Sequence, residues 1–427
     1  MVWIAVMFCA FMVMGVPVAF VLGLTSLVYI LVSGTISVKI LAMKMFAGLD
    51  DFVLLAVPFF IFAGELMGKS GITDDLVKFS DLIVGRIRGS LAHVNIVGST
   101  FFAGLTGSAA SDAAALGSIL IPAMEEQGYP AEYAAAVTAC ASVIGPIIPP
   151  SIVMVIYASV TGESVAALFL GGFVPGVAIC LALMAVAYIY AVRKNHPYRK
   201  ESIPAKEAWR ITARSSLGLI MPIIILFGIL GGIFTPTEAA AVACSYSLLV
   251  GLVLFRTLNW PKIRGCLIET GKTSGMVLII IAGAKLFGVI LSIERVPDQL
   301  ATLFLNITHN PSLILLILNF FLLVMGCLMD PGSNVIVLAP ILAPVISSLG
   351  IDPLHFALVM LVNLNIRMVT PPVGVSLFVV SSISRRSIER ITLIALPFIA
   401  AEVVVLLFIT YAPSITLFLP RLFGLHQ

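Results

Sequence analysis

Apolar residues run through this chain in stretches of about 20, the length that crosses a bilayer as a helix, with short polar connections between them. None shows the ten-residue alternation of an outer-membrane strand. The pattern predicts an all-α polytopic membrane protein. Met1–Leu31 reads as one uncleaved span, because no basic residue precedes it and the first lysine is Lys39. Ile36–Asp51 reads as an amphipathic segment at the membrane surface. Phe52–Met67 is a second span, and Gly71–Gly89, with apolar residues at helical spacing between charges, is an interfacial helix. Further spans are expected at Val165–Val192, Leu217–Ile233, Glu238–Phe255, Ser274–Ile293 and Ile391–Pro413. Two kinds of stretch depart from this pattern. Residues 91–127 and 313–349 are paired apolar arms around a polar tip and read as re-entrant hairpins. Residues 130–160 and 353–383 are apolar helices interrupted at a Pro-Pro pair and read as broken helices. Non-helical backbone persists at membrane depth only where protein or a watery cavity covers it.

The interrupted stretches are copies of one another. Overlaid at a constant offset of 222 (326 minus 104), Gly104 pairs with Gly326, Ser111 with Ser333, Pro122 with Pro344, Gly128 with Gly350, and Pro149-Pro150 with Pro371-Pro372. An ungapped register through Gly and Pro, the residues with the narrowest backbone roles, marks a repeat rather than two unrelated kinks. A weaker echo upstream pairs Ala63-Gly64 with Ala282-Gly283 at an offset of 219 (282 minus 63), and Pro17 with Pro236. The chain therefore divides into a first repeat at 1–192, a basic loop and linking span at 193–233, and a second repeat at 234–427.

Charge orients these elements. Only 11% of residues are charged, against roughly a quarter in soluble proteins, which leaves no room for a large soluble domain. The net charge of +3 is spread over short loops and offers no patch for nucleic acid. The most basic loop, with Arg193, Lys194, Arg199, Lys200, Lys206, Arg210 and Arg214 against Glu201 and Glu207, is cytoplasmic by the positive-inside rule. A second basic loop holds Arg256, Lys262, Arg264 and Lys272. Walking out from these anchors places the N-terminus and the mouth of the first hairpin in the cytoplasm, and the mouth of the second hairpin and the C-terminus outside. The repeats are thus inverted. Lys39 and Lys44 fall outside, against the rule.

Matched interrupted segments in two inverted halves point to the binding site of a secondary transporter. At the first tip Thr106, Ser108, Ser111 and Asp112 accompany Gly104 and Gly107; at the second, Asp330, Ser333 and Asn334 accompany Gly326 and Gly332. The breaks offer Ser142, Gly145, Pro146 and Ser151 in one copy, and Asn363, Asn365 and Thr370 in the other. A hard cation such as Na+ takes oxygen ligands, which unwound carbonyls, half-helix C-termini and these side chains supply. Two or more Na+ sites are expected, drawn from Ser108, Ser111, Asp112, Gly145, Pro146, Asp330, Ser333, Asn334, Asn365 and Thr370; simple capping of broken helices is the alternative. Half-helix N-termini suit a substrate carboxylate, and Ser108, Ser151, Asp330 and Arg367 are the substrate candidates. Asp330 and Arg367 are ionisable residues deep in apolar sequence, which is usually functional. At the repeat offset they match Ser108 and Gly145. They either meet cation and substrate or pair with each other. Glu65, Glu238, Lys285 and Glu402 are explained by snorkelling or by contacts between subunits or scaffold helices, and His93 as a hairpin-end residue. The six cysteines are scattered without a CxxC or Cys/His group and read as small core residues. Gly265–Thr273, GCLIETGKT, resembles a P-loop but is one residue too long between its glycines. With no HExxH or GxSxG either, a membrane-embedded enzyme has no site, and hairpins of opposite entry suit alternating access better than a channel.

The stretches GSAASDAAALGSILIPAM…GY…IGPIIPPS, MDPGSN…PILAP…GIDPLHF and TPPVGVSLF, with GVPVAF at Gly15 and FFIFAGELM at Phe59, resemble the large membrane subunit of the tripartite ATP-independent periplasmic (TRAP) transporters over essentially the whole chain. The resemblance implies a bacterial inner-membrane protein in which an elevator-type transport domain moves against a scaffold. It further implies Na+-coupled uptake of an organic acid, a small four-helix membrane partner and a soluble periplasmic binding protein, all within membrane lipid. Sialic acid is the favoured substrate and a C4-dicarboxylate the alternative. Arg367 stands where the family pattern, like Gly145 of the first repeat, has glycine.

Overall fold

A computed structural model describes residues 2–34, 37–199, 203–371 and 374–426. Pro372 and Val373 of the second break, Ile36, and Lys200 and Glu201 of the basic loop lie outside the described residues. Every regular element described is helical. The helices α1 (Val2–Val13), α2 (Val18–Ser33), α3 (Lys39–Ala47), α4 (Ala56–Lys69) and α5 (Ile72–Val84) lead to the first hairpin, α6 (Ser90–Thr106) and α7 (Ala109–Glu126). The first broken helix follows as α8 (Ala131–Ser142) and α9 (Ile152–Thr161), then α10 (Val165–Lys194) and the linking helix α11 (Ala205–Leu230). The second half contains α12 (Pro236–Leu249), α13 (Trp260–Ile293) and α14 (Val296–Ile307). Its hairpin is α15 (Pro311–Met325) and α16 (Pro331–Ser348), its broken helix α17 (Pro353–Ile366) and α18 (Val375–Ser384), and α19 (Ile388–Tyr411) and α20 (Pro413–Leu422) close the described chain. Seven described segments are long and apolar enough to cross a membrane by themselves.

Hairpins and broken helices fall within a residue or two of the positions read from the sequence. Gly107 at φ +59 ends α6, and Ser108 in extended backbone starts α7. Several outer elements differ. Met1–Leu31 is not one span: Gly15 at φ +78 and Pro17 split it into α1 and α2. α3 occupies the segment expected at the membrane surface; none of its residues is fully buried, and Leu41 and Met45 pack partly buried against the core. The two basic loops are shorter than the charge pattern suggests. Lys206, Arg210 and Arg214 belong to α11, and Lys262, Arg264 and Lys272 to α13, which Asn259 caps through the Lys262 N–H at 3.1 Å. A last helix, α20, follows the final span.

The two halves are interlocked rather than side by side. α4 packs on α12 and α2 on α13; under the 219-residue offset these are the same contact made twice. Inside, α7 and α8 of the first half pack on α18 and α19 of the second, and α10 runs against α19 and α20. Glu132 at the start of the first broken helix pairs with Arg386 just past the end of the second at 3.6 Å. At the other end Asp352, which starts the second, lies close enough to add to the burial that raises the carboxyl of Glu163, which follows the first. The broken helices therefore run antiparallel, as inverted repeats require. The first hairpin's open end is tied to the basic loop: the Gly89 N–H donates to the Pro197 carbonyl at 3.0 Å, and Arg199 forms an ion pair with Asp81.

Polar side chains bridge the inner helices. The Asn363 amide donates to the Asn319 side chain at 2.8 Å, and Asn319 donates to the Thr410 hydroxyl at 3.0 Å, joining α15, α17 and α19. Such interhelical bonds contribute about 0.6 kcal/mol each on average in membranes. Glu402 is different from the expectation. It is 0% exposed in α19 with neither carboxylate oxygen partnered, so it neither snorkels nor touches another subunit. Glu238 instead closes a capping box with Thr235, and Lys285 lies across Gly48, where a Cβ would meet its Cγ at 2.6 Å. Because an unpartnered buried carboxyl group contributes nothing to offset its desolvation, Glu402→Gln is expected to keep or raise the unfolding temperature of the purified protein. A fall of more than a few degrees in a thermal scan would show that the carboxyl group has an essential partner.

Candidate functional site

The first tip and the first break touch through backbone. A Cβ on Gly107 would lie 2.7 Å from the Pro150 carbonyl oxygen and 3.1 Å from the Ile152 nitrogen, so only glycine lets the tip seat there, and its φ of +59 favours glycine as well. Asp112, one turn into α7, is fully buried. One carboxylate oxygen accepts the Thr106 hydroxyl; the other, Oδ2, has no partner. That free oxygen occupies the place a side chain at position 145 would need: a Cβ on Gly145 would collide with it. Within the break, the Gly145 N–H donates to the Ser142 carbonyl at 3.0 Å. The Ser151 hydroxyl donates to the Pro146 carbonyl at 2.6 Å and caps α9 through the Met154 N–H at 3.3 Å. Ser142 lies 3.0 Å from Ser376 of α18, joining the two halves beside the break.

A cavity of about 610 Å3 opens between this tip and the outer helices. Thr106, Ser108 and Ser111 line it from the hairpin, Gly64, Glu65 and Lys69 from α4, and Thr273 from α13. Gly64 brings α4 against the tip backbone: its Cβ would lie 3.1 Å from the Thr106 Cα. Glu65 and Lys69 form an ion pair at 3.5 Å on the cavity wall. Lys69 and Thr273 are not apparent as site residues in the sequence, although Glu65 and Lys69 sit four apart on a helix face beside the Ala63-Gly64 echo. A smaller cavity, about 460 Å3, occupies the pseudo-symmetric position between α13 and α16, with Lys285, Ile336 and Pro340 on its walls; it contains no tip residue.

The second tip is built differently. Asp330 is exposed and is the N-cap of α16, where the Ser333 N–H donates to its Oδ2 at 3.0 Å and the Ser333 hydroxyl to its Oδ1. Asn334, the repeat mate of Asp112, donates to the Met329 carbonyl at 2.8 Å and leaves its Oδ1 without a partner. Asn365 and Thr370 each donate back to a carbonyl four residues earlier, Leu361 at 2.7 Å and Ile366 at 3.0 Å. Arg367 is 7% exposed and makes no ion pair with Asp330. Its Nη2 donates to Cys327 Sγ at 2.7 Å and to the Pro371 carbonyl at 3.2 Å, its stem lies on Gly326, and its Nε is unpartnered. Of the four substrate candidates only Ser108 lines the larger cavity.

The donors gathered at the first tip are oxygens of a carboxylate, hydroxyls and backbone, and among the described residues no three His, Cys, Asp or Glu side chains come together. Such a set can hold a hard monovalent cation and does not suit zinc or copper.

The model of the "Tripartite ATP-independent periplasmic transporter, DctM component" family matches residues 5–415. The chain belongs to this family. It is a transporter permease and not a member of an enzyme family, and its apolar helices make it a multi-pass inner-membrane protein. It is 38% identical over 421 residues to the sialic acid TRAP transporter large permease protein SiaM of Vibrio cholerae, covering 99% of this chain and 97% of that one. It is 40% identical over 411 residues to the isethionate TRAP transporter permease protein DctMQ of Oleidesulfovibrio alaskensis, covering 96% of this chain and 65% of that longer protein. Among solved structures, the Alcanivorax borkumensis YdaH transporter superposes with a TM-score of 0.60 at 14% identity, covering 87% of this chain and 86% of that one; this likeness shows the fold.

If the close approach of Asp112 to the break defines the site, Gly145→Ala should cost about 1–3 kcal/mol through overpacking. Asp112→Ala should relieve much of that cost, so that the double variant is clearly less destabilised than the sum of the singles. Unfolding of the four proteins measures this; strict additivity would mean that the two positions do not meet.

Proposed function

We propose that the chain is the membrane pathway of a sodium-coupled importer of a carboxylated metabolite. One feature carries the reading: Thr106 both lines the 610 Å3 cavity and donates its hydroxyl to Asp112, whose other oxygen is free. Asp112 Oδ2 with carbonyls of the break after α8 would hold Na+, whose charge offsets that of a carboxylate otherwise stranded in low dielectric. Asp112 then keeps its hold on Thr106, and the tip presents Thr106, Ser108 and Ser111 to the substrate in one geometry. Coupling follows, because loss of the cation loosens the same side chains that face the substrate. Lys69 on the opposite wall, released from its ion pair with Glu65, would supply positive charge for a carboxylate. The cavity lies in the range of pockets that enclose small metabolites. The names of the two relatives, isethionate and sialic acid, support an organic anion; sialic acid remains the favoured substrate and a C4-dicarboxylate the alternative.

The inner body of hairpins and broken helices moves as an elevator against α2, α4, α12 and α13. Two cavities at pseudo-symmetric positions, one reaching a tip and one not, are what a single stop of such a carriage would leave. The partners are a small membrane subunit and a periplasmic binding protein that captures dilute substrate, a task for which the described residues form no soluble domain.

Uptake by proteoliposomes carrying the chain with its small subunit, given loaded binding protein, is expected with an inward sodium gradient and absent when potassium replaces sodium. Thr106→Val, which keeps shape and removes the donor, should raise the sodium concentration for half-maximal uptake several-fold, and Lys69→Met should weaken apparent substrate affinity. Uptake indifferent to sodium would refute the coupling, and robust uptake of free substrate without a binding protein would refute the tripartite arrangement.

A further inference from the structure

The two halves differ in charge at two matched positions. In the first, Asp112 meets a bare Gly145; in the second, their mates are Asn334 and Arg367. At these two positions the second half has lost a carboxylate and gained a guanidinium; its own tip carboxylate, Asp330, stands at the mate of Ser108 and is engaged by Ser333 in capping α16. Arg367 also joins elements that the first half joins differently. Its Nη2 bonds Cys327 at the tip and the Pro371 carbonyl at the break, whose mates are Leu105 and Pro149. In the first half that junction is closed by the Gly107 backbone against Pro150. A guanidinium stays ionised in proteins, and a second cation brought near it in a buried, low-dielectric place would be strongly repelled.

We propose that Arg367 is a tethered cation that replaces the sodium ion of the second repeat, so that the chain binds sodium at its first tip only. This rests on the sodium-coupled reading above. The guanidinium fastens the second hairpin to its break permanently, whereas the first hairpin is fastened only while its ion is bound. The two tips then differ in kind: the first responds to sodium, and the second does not. The role expected of Arg367 from sequence, a clamp for a substrate carboxylate, is replaced by a structural one, consistent with its absence from the cavity wall.

The test is equilibrium binding of radioactive sodium to the purified complex at constant ionic strength, with potassium as the balancing ion. The wild type should bind one sodium ion per chain, and Asp112→Asn should lose it entirely. Arg367→Gly combined with Asn334→Asp, which rebuilds the first-half pattern in the second half, should gain a second ion, and Arg367→Gly alone should gain a weaker one. Residual sodium bound to Asp112→Asn, or a wild type that already binds two ions, would overturn the proposal. So would a folded double variant with no gain. Sodium binding by neither wild type nor double variant would overturn the sodium-coupled reading itself, a result distinct from the failure of the tethered cation. If the double variant does not fold, the comparison of wild type with Asp112→Asn still decides.

Discussion

A carboxylate oxygen without a partner inside a membrane protein is a standing electrostatic demand, and Asp112 places one where the first hairpin meets the first broken helix. Much of the surrounding structure is arranged around it. Gly145 lacks the side chain that would fill the space, Gly107 lets the tip seat on Pro150, and Gly64 lets α4 pass against the tip backbone. Thr106 connects that oxygen's carboxyl group to the cavity. Each of these glycines makes room for a close approach, which is why the site sits where helices are interrupted and not on an unbroken span.

The inverted repeat explains how one sequence pattern makes two such junctions. Antiparallel broken helices, tied at one end by Glu132 with Arg386 and bringing Glu163 near Asp352 at the other, put each tip against a break from opposite sides. The paired contacts of α2 with α13 and α4 with α12 form a frame around them. Within that frame the two junctions share Gly and Pro positions but carry different polar side chains. On the proposal made above, Asp112 and Gly145 against Asn334 and Arg367 make one junction depend on an ion from solution and the other on an ion built into the chain.

Most of the architecture was legible from residue order. The 222-residue register located both hairpins and both breaks, because Gly and Pro act locally and their spacing survives folding. Asp112 and Ser108 could be named for the same reason. What the sequence could not show depends on contacts between distant segments. Asp330 stands among apolar neighbours, and only the fold shows that it caps α16 with its side chain accessible. Arg367 looked like a partner for Asp330 or for substrate; it makes no ion pair with Asp330 and instead donates to Cys327 and Pro371. Lys69 drew no notice because an i, i+4 Glu-Lys pair usually marks a solvated helix face, and only the fold turns that face toward the tip. The division of the first span at Gly15 was written in GVPVAF, yet apolar residues on both sides masked it.

The central claim is that the free oxygen of Asp112 is answered by sodium. Structures of the complex determined at matched ionic strength in sodium and in potassium test it most directly. The account predicts a compact density feature against Asp112 Oδ2, present in sodium and missing in potassium, with the Thr106 contact better ordered when it is present. A contradiction would be an Asp112 that in both conditions turns Oδ2 to a hydrogen-bond donor of the protein, with no feature between the tip and the break.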